Sequence, residues 1–211
     1  MTRPRDAALA AELGASHVGV IFAESPRRVT VEQASEVFAL AGDAKRVGVF
    51  GHAGISSEMV IRHAKDLRLD VLQLHGGFLP TDVVRLRHDF DGELWAVVPI
   101  DRLAGELPEG WDGLAEVSDA LLIDTSVRGV SGGTGVRFDW KAAAPSILRA
   151  ASRIPIVLAG GLNAGNVGEA IATLRPGTVD VSSGVESAPG VKDPFRMRAF
   201  ADAVVSASIV G

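Results

Sequence analysis

The sequence predicts an α/β fold: a (β/α)8 barrel, or TIM barrel, with the first β-strand missing from this chain, so that seven strands are expected. Three observations carry this. Short Val/Ile/Leu-rich runs alternate with amphipathic stretches at a spacing of roughly 25 residues, the pattern of parallel strands covered by helices. Two tracts rich in small residues, Leu158-Ala159-Gly160-Gly161-Leu162 and Val179-Asp180-Val181-Ser182-Ser183-Gly184-Val185-Glu186, end the last two strands. Barrels of this kind build a phosphate site there. Finally, the chain opens directly on a helical pattern, and a closed barrel needs every strand paired on both sides.

The elements follow in order. A helix over Arg5–Leu13 leads into a strand at His17–Phe22, then a helix over Val31–Ala41 and a strand at Arg46–Phe50. Helix Ser56–Asp66 precedes strand Val71–Leu74, and helix Thr81–Asp89 precedes strand Leu94–Val98. The Gly- and Pro-containing stretch from Asp101 to Ser118 reads weakly as a helix. Strand Ala120–Asp124 is followed by helix Phe138–Ala151, strand Ile154–Leu158, helix Ala164–Leu174, strand Thr178–Val181 and helix Pro194–Ser206. Asp139, Asn163 and Asp193 stand at or next to helix starts as candidate caps.

The 211 residues (22.0 kDa) suit one domain over 1–211, close to the lower limit of roughly 200 residues for this barrel. Hydrophobic residues make up 47% of the chain, enough for a large core. A net charge of −5 without a Lys/Arg run argues against a nucleic-acid partner. No apolar stretch approaches the ~20 residues of a membrane span. With no cysteine, disulfides and thiolate metal sites are excluded. A cytoplasmic protein, monomeric or homodimeric, is expected.

Candidate site residues collect at strand ends. Gly160 and Gly161, with Ser183 and Gly184 after the next strand, would hold a phosphate on backbone N–H groups, which glycine lets approach closely. A short helix start after Gly184 would add a favourable dipole. Gly160 and Gly161 could otherwise form a plain turn. Asp124 ends an apolar strand and faces the barrel mouth. As a carboxyl partly desolvated under a lid formed by Gly132, Gly133 and Gly135, it would serve as general acid. A cap or loop hydrogen bond is its structural alternative. Arg27 would contact a substrate carboxylate in bidentate fashion, or be a solvated arginine in a Pro turn. Asp180 would approach the ligand or fill a polar barrel layer. His75 is a candidate acid/base, a metal ligand or a structural loop histidine. His17, His52, His63 and His88 are too scattered to complete a metal site, so no metal is expected.

Taken together, several segments resemble phosphoribosylanthranilate isomerase. They are Ser25-Pro26-Arg27, Val47-Gly48-Val49-Phe50, Gln73-Leu74-His75-Gly76, Leu122-Ile123-Asp124, Gly132-Gly133-Thr134-Gly135 with Phe138-Asp139-Trp140, Leu158 to Leu162, and Val179 to Gly190 with Lys192-Asp193. They run in family order along essentially the whole chain. The resemblance implies a cofactor-free Amadori rearrangement in tryptophan biosynthesis, with a phosphosugar substrate. It further implies that Asp124 is the acid, that Arg27 takes the anthranilate carboxylate, and that the backbone near Gly160-Gly161 and Ser183-Gly184 holds the phosphate. The family begins with a strand ending in Lys-x-Cys-Gly-x-Thr, whose Cys is the general base. Met1-Thr2 aligns with the end of that motif. The expectation is therefore that Met1 is an internal methionine and that the upstream codons encode Lys-x-Cys-Gly. Without that strand, phosphate binding with little turnover is expected, so a non-catalytic phosphosugar-binding remnant is the alternative. A pentose-phosphate epimerase would want His and Asp metal ligands at strand ends, and an indole-glycerol-phosphate synthase Lys and Glu. Neither set is evident.

Overall fold

The computed structural model describes residues 1–101, 105–126 and 138–209. Seven parallel strands form one sheet in chain order. They are β1 (His17–Ile21), β2 (Lys45–Gly51), β3 (Val71–His75), β4 (Glu93–Asp101), β5 (Ala120–Ser126), β6 (Ile156–Leu158) and β7 (Thr178–Val179). The helices are α1 (Pro4–Glu12), α2 (Val31–Ala39), α3 (Ser57–Leu67), α4 (Pro80–Arg87), α5 (Trp111–Ala115), α6 (Trp140–Ala151), α7 (Val167–Leu174) and α8 (Pro194–Ser208). α1 precedes β1, α2 to α7 each follow one of the parallel strands, and α8 comes after residues 180–193 that follow β7.

Alternation along the strands divides the apolar residues into two cores. On β5, Leu121 and Ile123 pack outward with the helices, in a core that includes Leu94, Val98, Ile147 and Leu174. Ala120 and Leu122 point inward and join Val47, Val71, Trp95, Val97, Val157 and Ala159. Burial on both faces is why these strands read as continuous apolar runs. Asp124 continues the inward set one step beyond Leu122, which sends its carboxyl to the mouth rather than into the helix layer.

β1 and β7 are the outer strands of the sheet, and among the described residues no ladder joins them. The edge of β1 that faces away from β2 is partly occupied. The Ile21 carbonyl accepts from Val29 N at 3.0 Å, and the Gly19 carbonyl accepts from the Met1 amino group. The Thr2 hydroxyl donates to the Gly190 carbonyl, so residues 1 and 2 run between β1 and the chain that follows β7. Covering an edge in this way leaves fewer open backbone groups for stray pairing.

The structure corrects several boundaries. β4 extends to Asp101, because Pro99, Ile100 and Asp101 stay in register with Asp124, Thr125 and Ser126 of β5. β6 starts at Ile156 rather than Ile154, and β7 ends at Val179 rather than Val181. α7 starts at Val167 rather than Ala164. Asn163 is not its cap: Asn166 Oδ1 accepts from Asn163 N at 2.8 Å and Asn163 Oδ1 from Gly165 N at 2.9 Å, a side-chain-stabilised turn that competes with helix. Asp139 and Asp193 do cap, accepting from Ala142 N at 3.1 Å and from Phe195 N at 2.9 Å. The weakly helical stretch before β5 contains α5. An antiparallel hairpin, β8 (Glu186–Ala188) with β9 (Val191–Lys192), was not expected from the sequence.

Candidate active site

The carboxyl ends of β5, β6 and β7 bring Asp124, the Gly160-Gly161 turn and Asp180 together. Gly160 and Gly161 adopt φ of 85° and 67°, left-handed values that a Cβ would strain. A Cβ on Gly160 would also meet Thr125 N at 2.6 Å and the Asp124 carboxylate oxygen at 2.8 Å. The turn therefore lies directly against the carboxyl of Asp124. Gly184 is as constrained by proximity, since a Cβ there would overlap the Leu162 carbonyl oxygen. The two small-residue tracts thus touch, as a shared anion cradle requires. Asn166 Nδ2 donates to the Gly161 carbonyl at 3.0 Å and helps fix the first turn. The second tract forms a single 3-10 turn, Ser183–Val185. It starts at Ser183, not after Gly184, and three residues are too short for the helix dipole expected from the sequence.

Asp124 has the chemistry of a proton donor near neutrality. Burial, with the charge of Asp180 adding to it, raises its pKa to about 6, against the Thr125 backbone hydrogen bond that lowers it. The β5–β6 and β6–β7 registers, extended by one residue, put Asp124, Ala159 and Asp180 on one level with a single strand between the carboxyls. Asp180 is itself raised by burial, opposed by Lys192, the Met1 amino group and His17.

His75 at the end of β3 has Nε2 3.7 Å from Asp124 Oδ2, beyond hydrogen-bond range. Burial lowers its pKa, so the ring is neutral at pH 7, and Nδ1 is buried without a partner among the described residues. Among those residues no three His, Asp or Glu groups converge as a metal cluster would.

Arg27 is placed differently from the expectation of a guanidinium held open for substrate. Its Nε lies 3.0 Å from both carboxylate oxygens of Glu186, and its Nη2 2.7 Å from Oε2. Glu186 also takes the Lys192 ammonium at 3.1 Å. Burial works against the Glu186 carboxylate, but Arg27 and Lys192 outweigh it and hold its pKa below the usual range. Sequence reasoning assigned neither Glu186 nor Lys192. The one available signal was a lysine beside apolar Val191 next to an acidic residue in a specific motif. Gly132, Gly133 and Gly135 lie outside the described residues.

The chain is similar to known proteins along nearly its whole length. Residues 1–203 match the family profile described as N-(5'phosphoribosyl)anthranilate (PRA) isomerase. The chain is 43% identical over 209 residues to N-(5'-phosphoribosyl)anthranilate isomerase of Pseudomonas putida (strain W619), covering 98% of this chain and 95% of that protein. It resembles the crystal structure of phosphoribosyl anthranilate isomerase from Thermus thermophilus with a TM-score of 0.81 at 34% identity, covering 98% and 96% of the two chains. A phosphoribosyl anthranilate isomerase solved in complex with reduced 1-(o-carboxyphenylamino)-1-deoxyribulose 5-phosphate matches with a TM-score of 0.77 at 29% identity, covering 98% of this chain and 95% of that one. A touching pair of strand-end turns, an elevated carboxyl beside them and end-to-end similarity converge on one assignment: the chain belongs to the phosphoribosylanthranilate isomerase family.

Proposed function

We propose that this chain converts N-(5-phosphoribosyl)anthranilate to 1-(2-carboxyphenylamino)-1-deoxyribulose 5-phosphate in tryptophan biosynthesis, with Asp124 as general acid. The observation that carries this is the Asp124 carboxyl, raised to about 6 and in contact with the Gly160 turn. Near pH 7 about a tenth of such a group is protonated, a workable compromise between acid strength and occupancy.

The backbone at Gly160, Gly161, Ser183 and Gly184 holds the phosphate. Asp124 protonates the furanose oxygen, the C1–O bond breaks, and the nitrogen lone pair forms the protonated imine. A base takes the C2 proton, giving the enol-amine. Return of a proton to C1 and loss of the O2 proton give the ketone. Arg27 takes the anthranilate carboxylate, and Asp180 faces the ribose.

The base is assigned to the flank between β1 and β7, where a further strand would close the ring and where the family carries its cysteine. A strand bearing Lys-x-Cys-Gly joined ahead of Met1 raises both turnover and Tm. No gain in either overturns this assignment.

The test of the activity is the fluorescence change on turnover of N-(5-phosphoribosyl)anthranilate, run beside binding of the reduced product analogue. Turnover lost in Asp124→Asn with analogue binding retained supports the assignment. Undiminished turnover in that variant overturns Asp124 as acid. Analogue binding without turnover under every condition, including the added strand, identifies a phosphosugar binder instead.

A further inference from the structure

A guanidinium offers two edges that fit a carboxylate, Nε with Nη2 and Nη1 with Nη2. In Arg27 the first edge is committed to Glu186. Only the second is left for a ligand. An isolated Arg–Glu pair would be neutral overall and would attract no anion. Lys192 changes this balance. Its ammonium donates to Glu186 Oε1 at 3.1 Å and to the Ser182 carbonyl at 2.8 Å, so two cations share one carboxylate.

The three side chains are graded in depth. Glu186 and Lys192 are each 4% exposed, whereas Arg27 is 13% exposed. The surplus positive charge therefore emerges at Arg27. The other charges nearby are paired or buried. Arg3 and Asp6, which bracket the Lys192 backbone, pair with each other at 2.7 and 2.8 Å. Asp180 and Lys192 attract one another, and burial disfavours the charged forms of both. Glu186 itself is anchored by the β8–β9 hairpin and by Arg196, which donates to its backbone carbonyl.

We propose that Glu186 and Lys192 are positioning residues for recognition of the substrate's aromatic carboxylate: Glu186 fixes the guanidinium so that its Nη1–Nη2 edge faces the ligand, and Lys192 offsets the charge of Glu186 so that this edge stays cationic. The proposal rests on the assignment of the anthranilate carboxylate to Arg27.

The experiment is calorimetric titration of the full chain and its variants with two separate probes, anthranilate and inorganic phosphate. Lys192→Met weakens anthranilate binding by about 10- to 100-fold, the scale of a lost charge-assisted contact, and leaves phosphate affinity within about threefold. Lys192→Arg keeps the charge and restores most of the anthranilate affinity. Glu186→Gln gives the sharpest discrimination. It makes the cluster more positive by one charge, so simple attraction predicts tighter anthranilate binding, whereas positioning predicts weaker binding. Tighter or unchanged binding in Glu186→Gln overturns the proposal. So does equal loss of both probes in Lys192→Met and Glu186→Gln, which would mark the pair as structural. Arg27→Met separates the two levels: if it leaves anthranilate binding unchanged, the Arg27 assignment fails, and if only it weakens binding, the positioning roles fail alone.

Discussion

The two ends of the sheet are built from the same residue types and treat them in opposite ways. At the amino ends of the strands, carboxylates are spent on backbone and cation partners. Asp70 accepts from Arg46 N at 2.7 Å, and Asp119 accepts from Leu94 N at 2.7 Å and from Arg87. Glu93 accepts from Trp95 Nε1 at 2.9 Å and pairs with Lys45. At the carboxyl ends, Asp124 and Asp180 stand one strand apart, and burial pushes both toward their neutral forms. One end fastens strands together, while the other holds buried carboxyls at a cost in folding energy. In barrels of this kind the first behaviour marks the stability face and the second the active-site face.

The contrast can be broken most sharply at Asp124. Asp124→Asn lowers turnover by about 10²–10⁴-fold, the usual contribution of a positioned acid, while binding of the product analogue persists. Next is Gly160→Ala, which combines a left-handed φ with overlap onto Asp124 and Thr125. It costs about 2–4 kcal/mol of stability in urea unfolding and lowers turnover as well, because the acid is displaced. The third test is pH. A raised folded-state pKa means the folded chain binds more protons than the unfolded one, so the contribution of Asp124 to stability falls as pH rises from about 4 through 6. Asp124→Asn is therefore more stable than the parent at pH 7 by about 1–3 kcal/mol, and the gap closes at pH 4. The smallest effect belongs to the other end. Asp119→Ala loses about 1 kcal/mol through the bond to Leu94 N and leaves turnover unchanged. A stability gain in Asp119→Ala, or a loss in Asp124→Asn at pH 7, would erase the distinction between the two ends.

Much of this was legible in the sequence because it rests on local pattern. Leu121-Leu122-Ile123-Asp124 announces a strand with its carboxyl at the mouth, and the paired small-residue tracts announce adjacent turns. What was not legible depends on long-range closure or very short elements. The β8–β9 hairpin uses three and two residues, too few for any periodicity. The start of α7 was misplaced because Asn166 Oδ1 accepts from Asn163 N and Asn163 Oδ1 from Gly165 N, in a turn that mimics a helix entry. The partner of Arg27 lies 159 residues away, and no spacing rule connects them. The Pro-turn context of Arg27 shows its place at a strand end but not its orientation, which the bonds to Glu186 fix.

The contact between Gly160 and Asp124 has a thermodynamic corollary. If this turn holds the phosphate as proposed, the added negative charge beside the Asp124 carboxyl favours its protonated form. Ligand binding and proton uptake are then linked, and the ligand itself recruits the proton that Asp124 passes to the furanose oxygen. Titration of inorganic phosphate near pH 6.5 in buffers of different ionisation enthalpy reads this directly. Fractional proton uptake is expected from the parent chain, and a smaller uptake from Asp124→Asn.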